Sequence, residues 1–256
     1  MKVTLITVVF NGVATIRDCI VSVLSQTHPD IEYIVIDGNS SDGTADVVRS
    51  FGSRITRFIS EPDRGLYDAM NKGLRLATGE VIGFLNSDDF YRHENVIRNM
   101  VATLERTGSD ATYGDMLYVD RTDTAKVIRY WRSGHYRDGD FLWGWMPGHL
   151  SFFARRWVYE KYGYFNLNLK SAADYELMLR FIHKHKIRLS YMDEVTIVMR
   201  VGGVSNQSLH HRLKANREDR EAWRLNGLKP YFFTLWLKPV RKIKQYVSRY
   251  KLSENT

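Results

Sequence analysis

Four short apolar runs alternate with helix-spaced segments over the first ninety residues, and each run ends in an acid or an amide. Val3–Phe10 leads to Asn11, and Ile31–Ile36 leads to Asp37-Gly38. Ile55–Ser60 leads to Glu61 and Asp63, and Val81–Leu85 leads to Asn86-Ser87-Asp88-Asp89. Between the first two runs, Ile16, Cys19, Ile20, Val23 and Leu24 recur at helical spacing. Asp42–Phe51 and Leu66–Ala77 read as further helices. Strands that are apolar throughout, taken in turn with helices, predict an α/β fold with a mainly parallel sheet flanked by helices. Ligands of such sheets sit beyond the carboxyl ends of the strands. Asn11, Asp37, Glu61, Asp63, Asp88 and Asp89 would therefore collect along one edge.

The pattern changes after the fourth run. His93–Arg106 predicts a helix, Ala111–Val119 and Lys126–Trp131 predict strands, and Ser133–Met146 is aromatic without a clear period. Ala154–Tyr162 and Ala172–His185 read as helices, Arg188–Val201 as strand, and Ser208–Leu225 as a polar helix. The length of 256 residues suits one sizeable core with an appendage, divided here into 1–206 and 207–256. The single Cys19 excludes a disulfide framework within the chain and suits a reducing, cytoplasmic setting.

Several segments, taken in order, are similar to family 2 glycosyltransferases with a GT-A nucleotide-sugar-binding fold. They are Thr7-Val8-Val9-Phe10-Asn11, then Ile34–Asp37 followed by Gly38-Asn39-Ser40-Ser41-Asp42-Gly43-Thr44. Next come Ser60-Glu61-Pro62-Asp63-Arg64-Gly65-Leu66-Tyr67-Asp68-Ala69-Met70-Asn71-Lys72-Gly73 and Phe84-Leu85-Asn86-Ser87-Asp88-Asp89. Pro147-Gly148-His149 and Ala173-Asp174-Tyr175-Glu176-Leu177 complete the set. The likeness covers about residues 3–206 and is strongest toward enzymes of bacterial surface polysaccharides, such as colanic acid and other exopolysaccharides.

This resemblance implies a nucleotide-sugar donor, a saccharide acceptor, Mg²⁺ or Mn²⁺, and inversion at the anomeric carbon. It places the metal on Asp89, with Asp88 nearer the ribose and sugar and sharing the metal site. Hard divalent cations take oxygen ligands, often one or two carboxylates plus substrate phosphates. A loop-capping Asp pair is the alternative. Asn86 stands where relatives often carry an acid. Asp37 matches the nucleotide-recognising acid, although Gly38 replaces its usual acidic neighbour, and a turn-forming role stays open. Thr7, Val9 and Asn11 match nucleotide contacts made partly through backbone. Asp63 and Asn71 match residues flanking the ribose or diphosphate. Asp68, Asn71 and Lys72 share a helical face that either meets the ligand or is solvated. Asp174 matches the general base, with Trp143, Trp145, Met146 and Phe165 as candidates for an apolar setting that would tune it. His149 is either near the substrates or a buried structural residue. Gly202-Gly203-Val204-Ser205 resembles a loop that closes over donor.

The charge lies in the last fifth of the chain. Of 37 basic and 29 acidic residues, 12 basic and 4 acidic fall from Arg212 onward, leaving 25 of each before it. A neutral body argues against a nucleic-acid-coating protein and leaves no nucleic-acid partner in the favoured reading. No G-x-G-x-x-G follows the first strand, which disfavours a dinucleotide oxidoreductase. After Pro239, Val240, Ile243, Tyr246 with Val247, and Tyr250 recur at helical spacing among Arg241, Lys242, Lys244, Arg249 and Lys251. Such a helix lies on an anionic membrane surface, or it packs on the body or on a second subunit of a homo-oligomer. The membrane alternative suits a lipid-linked acceptor and a peripheral place on the inner face of the cytoplasmic membrane. An inactive nucleotide-binding scaffold of the same fold is the rival that keeps the architecture.

Overall fold

The computed structural model describes residues 1–202 and 209–247. Strands β1 (Val3–Val9), β2 (Ile31–Asp37), β3 (Arg57–Ser60) and β4 (Val81–Asn86) pair in parallel in the order β3-β2-β1-β4. Helices α1 (Ile16–Leu24), α2 (Thr44–Arg49) and α3 (Leu66–Leu76) connect them. β1 is buried along its whole length, which is why its sequence is apolar without alternation. Register aligns the strand ends: Val9 lies opposite Asp37, Asp37 opposite Ser60, and Val8 opposite Asn86.

The second half extends this sheet. β5 (Phe90–Tyr91) and α4 (Val96–Thr107) precede β6 (Ala111–Val119) and β7 (Val127–Trp131). β8 (Phe152–Arg155) runs antiparallel between β4 and β6, and β9 (Leu189–Arg200) runs parallel to β6 and antiparallel to β5. The sequence places a helix over 154–162. Instead Phe152–Arg155 is a strand, and helix α5 spans Arg156–Tyr162. The strand joins the two halves. Room for it depends on Gly83 in β4, where a Cβ would lie 2.3 Å from the Phe153 ring.

Helix α6 (Ala173–Met178) continues as a π-helical turn over Leu179–Lys184. Glu176, read from the sequence as supportive or exposed, is buried and paired with Arg180 at 2.9 Å. Arg180 also donates to the carbonyls of Tyr162 and Tyr164, fixing the segment that leads into α6.

The C-terminal helices are α7 (Leu209–Leu225) and α8 (Thr234–Val247). Trp223 and Leu235 are buried in the same core as the sheet. Trp223 donates from Nε1 to the Tyr175 hydroxyl at 2.9 Å, and Asn226 donates to Glu176 Oε1 at 2.9 Å. Helix α8 begins at Thr234, five residues before Pro239 and so earlier than the spacing after that proline suggests, and Pro239 lies inside it. Its first turns are anchored by Thr234, which donates to the Leu142 carbonyl at 2.7 Å. Lys238 pairs with Asp219 at 2.7 Å and sits 3.7 Å from the Tyr175 ring centroid.

Removing one partner of a buried ion pair leaves the other charge uncompensated, at about 3–5 kcal/mol. The Arg180 side chain retains some solvent contact and Asn226 still donates to Glu176, so Arg180→Ala is expected to cost about 3 kcal/mol. Urea denaturation checks this; a loss below about 1 kcal/mol would show that the pair is peripheral to stability.

Candidate active site

The parallel register brings the polar strand ends to one edge, and hydrogen bonds there fix the loops. Asp37 is fully buried; it accepts from the Ser60 hydroxyl at 2.6 Å, the Ser40 hydroxyl, and the Ser40 backbone N–H at 3.1 Å. Its carboxylate therefore binds the loop after β2 to the end of β3. Asn11 has φ of 50°, a left-handed conformation that Asn tolerates. Its backbone N–H donates to Ser40 Oγ at 2.7 Å, and its Oδ1 accepts from the Ser41 N–H at 3.0 Å. At Gly38 a Cβ would lie 2.8 Å from Asp63 Oδ2, so a side chain there would require Asp63 to shift. Asp63 accepts from the Gly65 N–H and stays partly open to solvent.

Other sequence candidates face inward. Thr7 is fully buried and bonded to the Tyr33 hydroxyl at 3.0 Å, so its side chain belongs to the core. Val9 ends β1 and is buried. Asn71 is buried, donates to the Phe165 carbonyl at 2.9 Å and accepts from the Phe165 N–H at 3.0 Å. The shared face of Asp68, Asn71 and Lys72 is thus turned to protein: Asp68 accepts from the Arg64 N–H, and Lys72 reaches Glu61 and the Pro62 carbonyl. The Arg64 hydrogen bond holds the Asp68 carboxyl below its usual range.

The two acids after β4 differ in environment. Asp89 is 1% exposed, with Oδ1 accepting from the Arg200 N–H at 3.1 Å and Oδ2 buried without a hydrogen-bond partner. Burial, and next the charge of Asp88, push its pKa well above the carboxylate range. Asp88 is partly exposed, and its backbone carbonyl accepts from Arg200. Arg200 also pairs with Asp18 of α1 at 2.7 Å. Among the described residues, no group of three or more His, Cys, Asp or Glu could by itself hold a metal. The hard oxygen of the open Asp88, beside the orphaned Oδ2 of Asp89, nevertheless fits a cation that completes its shell with substrate phosphates.

Asp174 opens α6 and is held from two sides. Tyr67, in the first turn of α3, donates to Oδ1 at 3.0 Å, and His149 Nδ1 lies 3.4 Å from Oδ2. Tyr67 stands just beyond the loop that follows β3, so this contact draws Asp174 to the edge where the strand-end acids lie. Burial and the neighbouring Asp174 raise the Tyr67 pKa well above its ordinary value, which keeps the hydroxyl a donor. Burial lowers the His149 pKa, opposed by the Asp174 charge. Phe165 stacks on Tyr67 with centroids 5.5 Å apart, and Phe84, Phe152 and Leu177 line a small cavity with His149 and Asp174. Of the aromatic residues expected to surround Asp174, Phe165 does so. Trp145 instead donates to the Ser133 carbonyl, and Trp143 packs on Phe233. Sequence reasoning missed Tyr67 and Arg200. Tyr67 was discoverable, since it lies four residues before Asn71 on the buried face of α3; Arg200 carried no local signal. Of the expected donor loop, Gly203, Val204 and Ser205 lie outside the described residues.

Solved structures share this architecture. The structure titled S. aureus TarS 1-349 in complex with UDP-GlcNAc aligns with a TM-score of 0.68 at 19% identity, covering 88% of this chain and 65% of that one. The mannosyltransferase PcManGT from Pyrobaculum calidifontis, in complex with GDP-Man and Mn²⁺, aligns at 0.62 and 20% identity, covering 98% and 76%. The fold is therefore that of the GT-A glycosyltransferases. The model of "Glycosyl transferase family 2" matches residues 4–163, and the chain belongs to that family. A PGL/p-HBAD biosynthesis glycosyltransferase of Mycobacterium bovis is 29% identical over 201 residues, which is 77% of this chain and 76% of that protein.

Two outcomes follow. Asn71→Ala strands the buried backbone groups of Phe165, so stability should fall by about 1–3 kcal/mol while nucleotide affinity holds; calorimetric titration with nucleotide diphosphates checks the second part. His149 titrates lower when folded than when unfolded, so the unfolded chain binds more protons as pH falls. Its contribution is intact above the ordinary His range and is lost as pH drops through it. His149→Gln should flatten that loss between about pH 7.5 and about pH 5.5 in urea midpoints.

Proposed function

We propose that the protein is an inverting, divalent-metal-dependent glycosyltransferase. It moves a sugar from a nucleotide-diphosphate donor to a hydroxyl of a saccharide acceptor in bacterial surface polysaccharide synthesis. The acceptor is lipid-linked, and the protein works peripherally at the cytoplasmic face of the membrane. The observation that carries the chemistry is Asp174, gripped by Tyr67 and His149 at the sheet edge that also presents Asp88. The donors named with the TarS and PcManGT structures, UDP-GlcNAc and GDP-Man, support the donor class, and the Mn²⁺ in the latter supports the metal.

Asp174 takes the proton of the acceptor hydroxyl as that oxygen bonds to the anomeric carbon. The bond from that carbon to the diphosphate oxygen breaks, and its electron pair leaves with the diphosphate. Tyr67 holds Oδ1 and leaves Oδ2 as the basic atom, with the uncharged imidazole of His149 beside it. With its proton on Nδ1, neutral His149 faces one lone pair of Oδ2 and leaves the other to take the acceptor proton. The loop of Asp88 and Asp89 would hold the cation. The burial of Asp89 favours Asp88 as the direct ligand and gives Asp89 the task of fixing the loop through the Arg200 backbone. When bound, the cation offsets charge on the departing diphosphate.

Asp174→Asn should lower kcat by about 10²–10⁴-fold and leave donor binding intact. Asp88→Ala should abolish the stimulation of donor turnover by Mn²⁺. Turnover that survives chelation, or an Asp174→Asn enzyme as fast as the parent, would sink this reading.

A further inference from the structure

We propose that Trp143, Phe232, Trp236 and Val240 form one face that seats the protein on an anionic lipid bilayer. Phe232 is 89% exposed, Trp236 67%, Trp143 53% and Val240 52%. Single exposed apolar residues need no explanation, but contiguous ones do. Trp143 and Phe232 are joined through one ring: Trp143 of the body packs on Phe233 at 5.3 Å, and Phe232 packs on Phe233 at 5.1 Å. Trp236 follows directly, its backbone N–H donating to the Phe233 carbonyl at 2.9 Å. Trp236 and Val240 stand four apart on α8, on the side away from the buried Leu235. This face differs from the stripe the sequence suggests. Val240 is its one shared member; the side chains of Ile243, Tyr246 and Val247, and all of Tyr250, lie outside the described residues.

Charge selects the occupant. From Lys229 to Lys251 there are seven basic residues and no acid. Lys238 is neutralised by Asp219, while Lys229 and Arg241 are exposed beside the aromatic face. A second copy docking through the same patch would bring these cations together, since a two-fold interface sets a surface against itself. An anionic bilayer meets both demands, with aromatic rings at the headgroup level and cations against lipid phosphates. Among the described residues no helix is long and apolar enough to cross a membrane. The face is also fastened to the catalytic region. Lys238, behind Trp236, lies on the ring of Tyr175, the neighbour of Asp174. Seating α8 on lipid therefore fixes how the Asp174 edge is held relative to the bilayer. This last use rests on the proposed lipid-linked acceptor, whereas binding itself does not.

Co-sedimentation of the full chain with vesicles of phosphatidylcholine alone, or mixed with phosphatidylglycerol, tests the proposal. The expected result is binding to the mixed vesicles, weakened by salt, with a blue shift of Trp fluorescence. Phe232→Ser combined with Trp236→Ser should weaken it roughly tenfold or more with unchanged circular dichroism. Val240→Glu, a surface change on the same face, should weaken it as well should the double variant not fold. No binding by the parent overturns the proposal, as does equal binding by a folded variant. A variant that turns a dimer into a monomer without losing vesicle binding assigns the face to a second copy and overturns it too. Donor hydrolysis without vesicles is read in parallel, so failure of the transferase reading is seen separately.

Discussion

Parallel pairing of β3, β2, β1 and β4, with their carboxyl ends level, is the constraint on which the site depends. Because Val9, Asp37, Ser60 and Asn86 end at one height, the loops that follow are crowded together. Crowded backbone must find hydrogen-bond partners, and side chains of the same loops supply them. Asp37 serves Ser40 and Ser60, and Asn11 serves Ser41. Some strand-end polar residues thus build the edge, and fewer remain open to a ligand. Asp88 and Asp63 keep partial exposure among the strand-end acids, and Glu61 is exposed.

The other wall of the site comes from farther along the chain. β8 pairs antiparallel with both β4 and β6 and so welds the second half to the first. One face of α3 then holds that wall in place. Tyr67 and Asn71, one helical turn apart, fasten the Asp174 carboxylate and the Phe165 backbone respectively. From the opposite side, α7 and α8 fasten α6 through Trp223, Asn226 and Lys238. The helix that carries the proposed base is therefore clamped between the parallel half of the sheet and the C-terminal segment.

The basic segment is accordingly less separate than its composition suggests. Its charge surplus is a property of the sequence, yet Trp223 and Leu235 belong to the central core. The boundary drawn at 206 and 207 follows the end of the family resemblance, and Trp223 and Leu235 beyond it pack in the core of the sheet.

Local pattern was enough to read the α/β alternation, the first four strands, the acids at their ends and the place of the charge, because periodicity and turn chemistry act over a few residues. The resemblance added Asp174 and His149 as candidates. Tertiary structure alone decided that Asp89 is buried while Asp88 stays open, that Asn71 and Thr7 face protein, and that Phe152–Arg155 is strand. Each of these depends on partners far away in sequence: Arg200 lies 111 residues from Asp89, Phe165 94 from Asn71, and Tyr67 107 from Asp174. Residue type and spacing fix which groups can do chemistry; burial, which is set by long-range contacts, decides which of them meet a ligand.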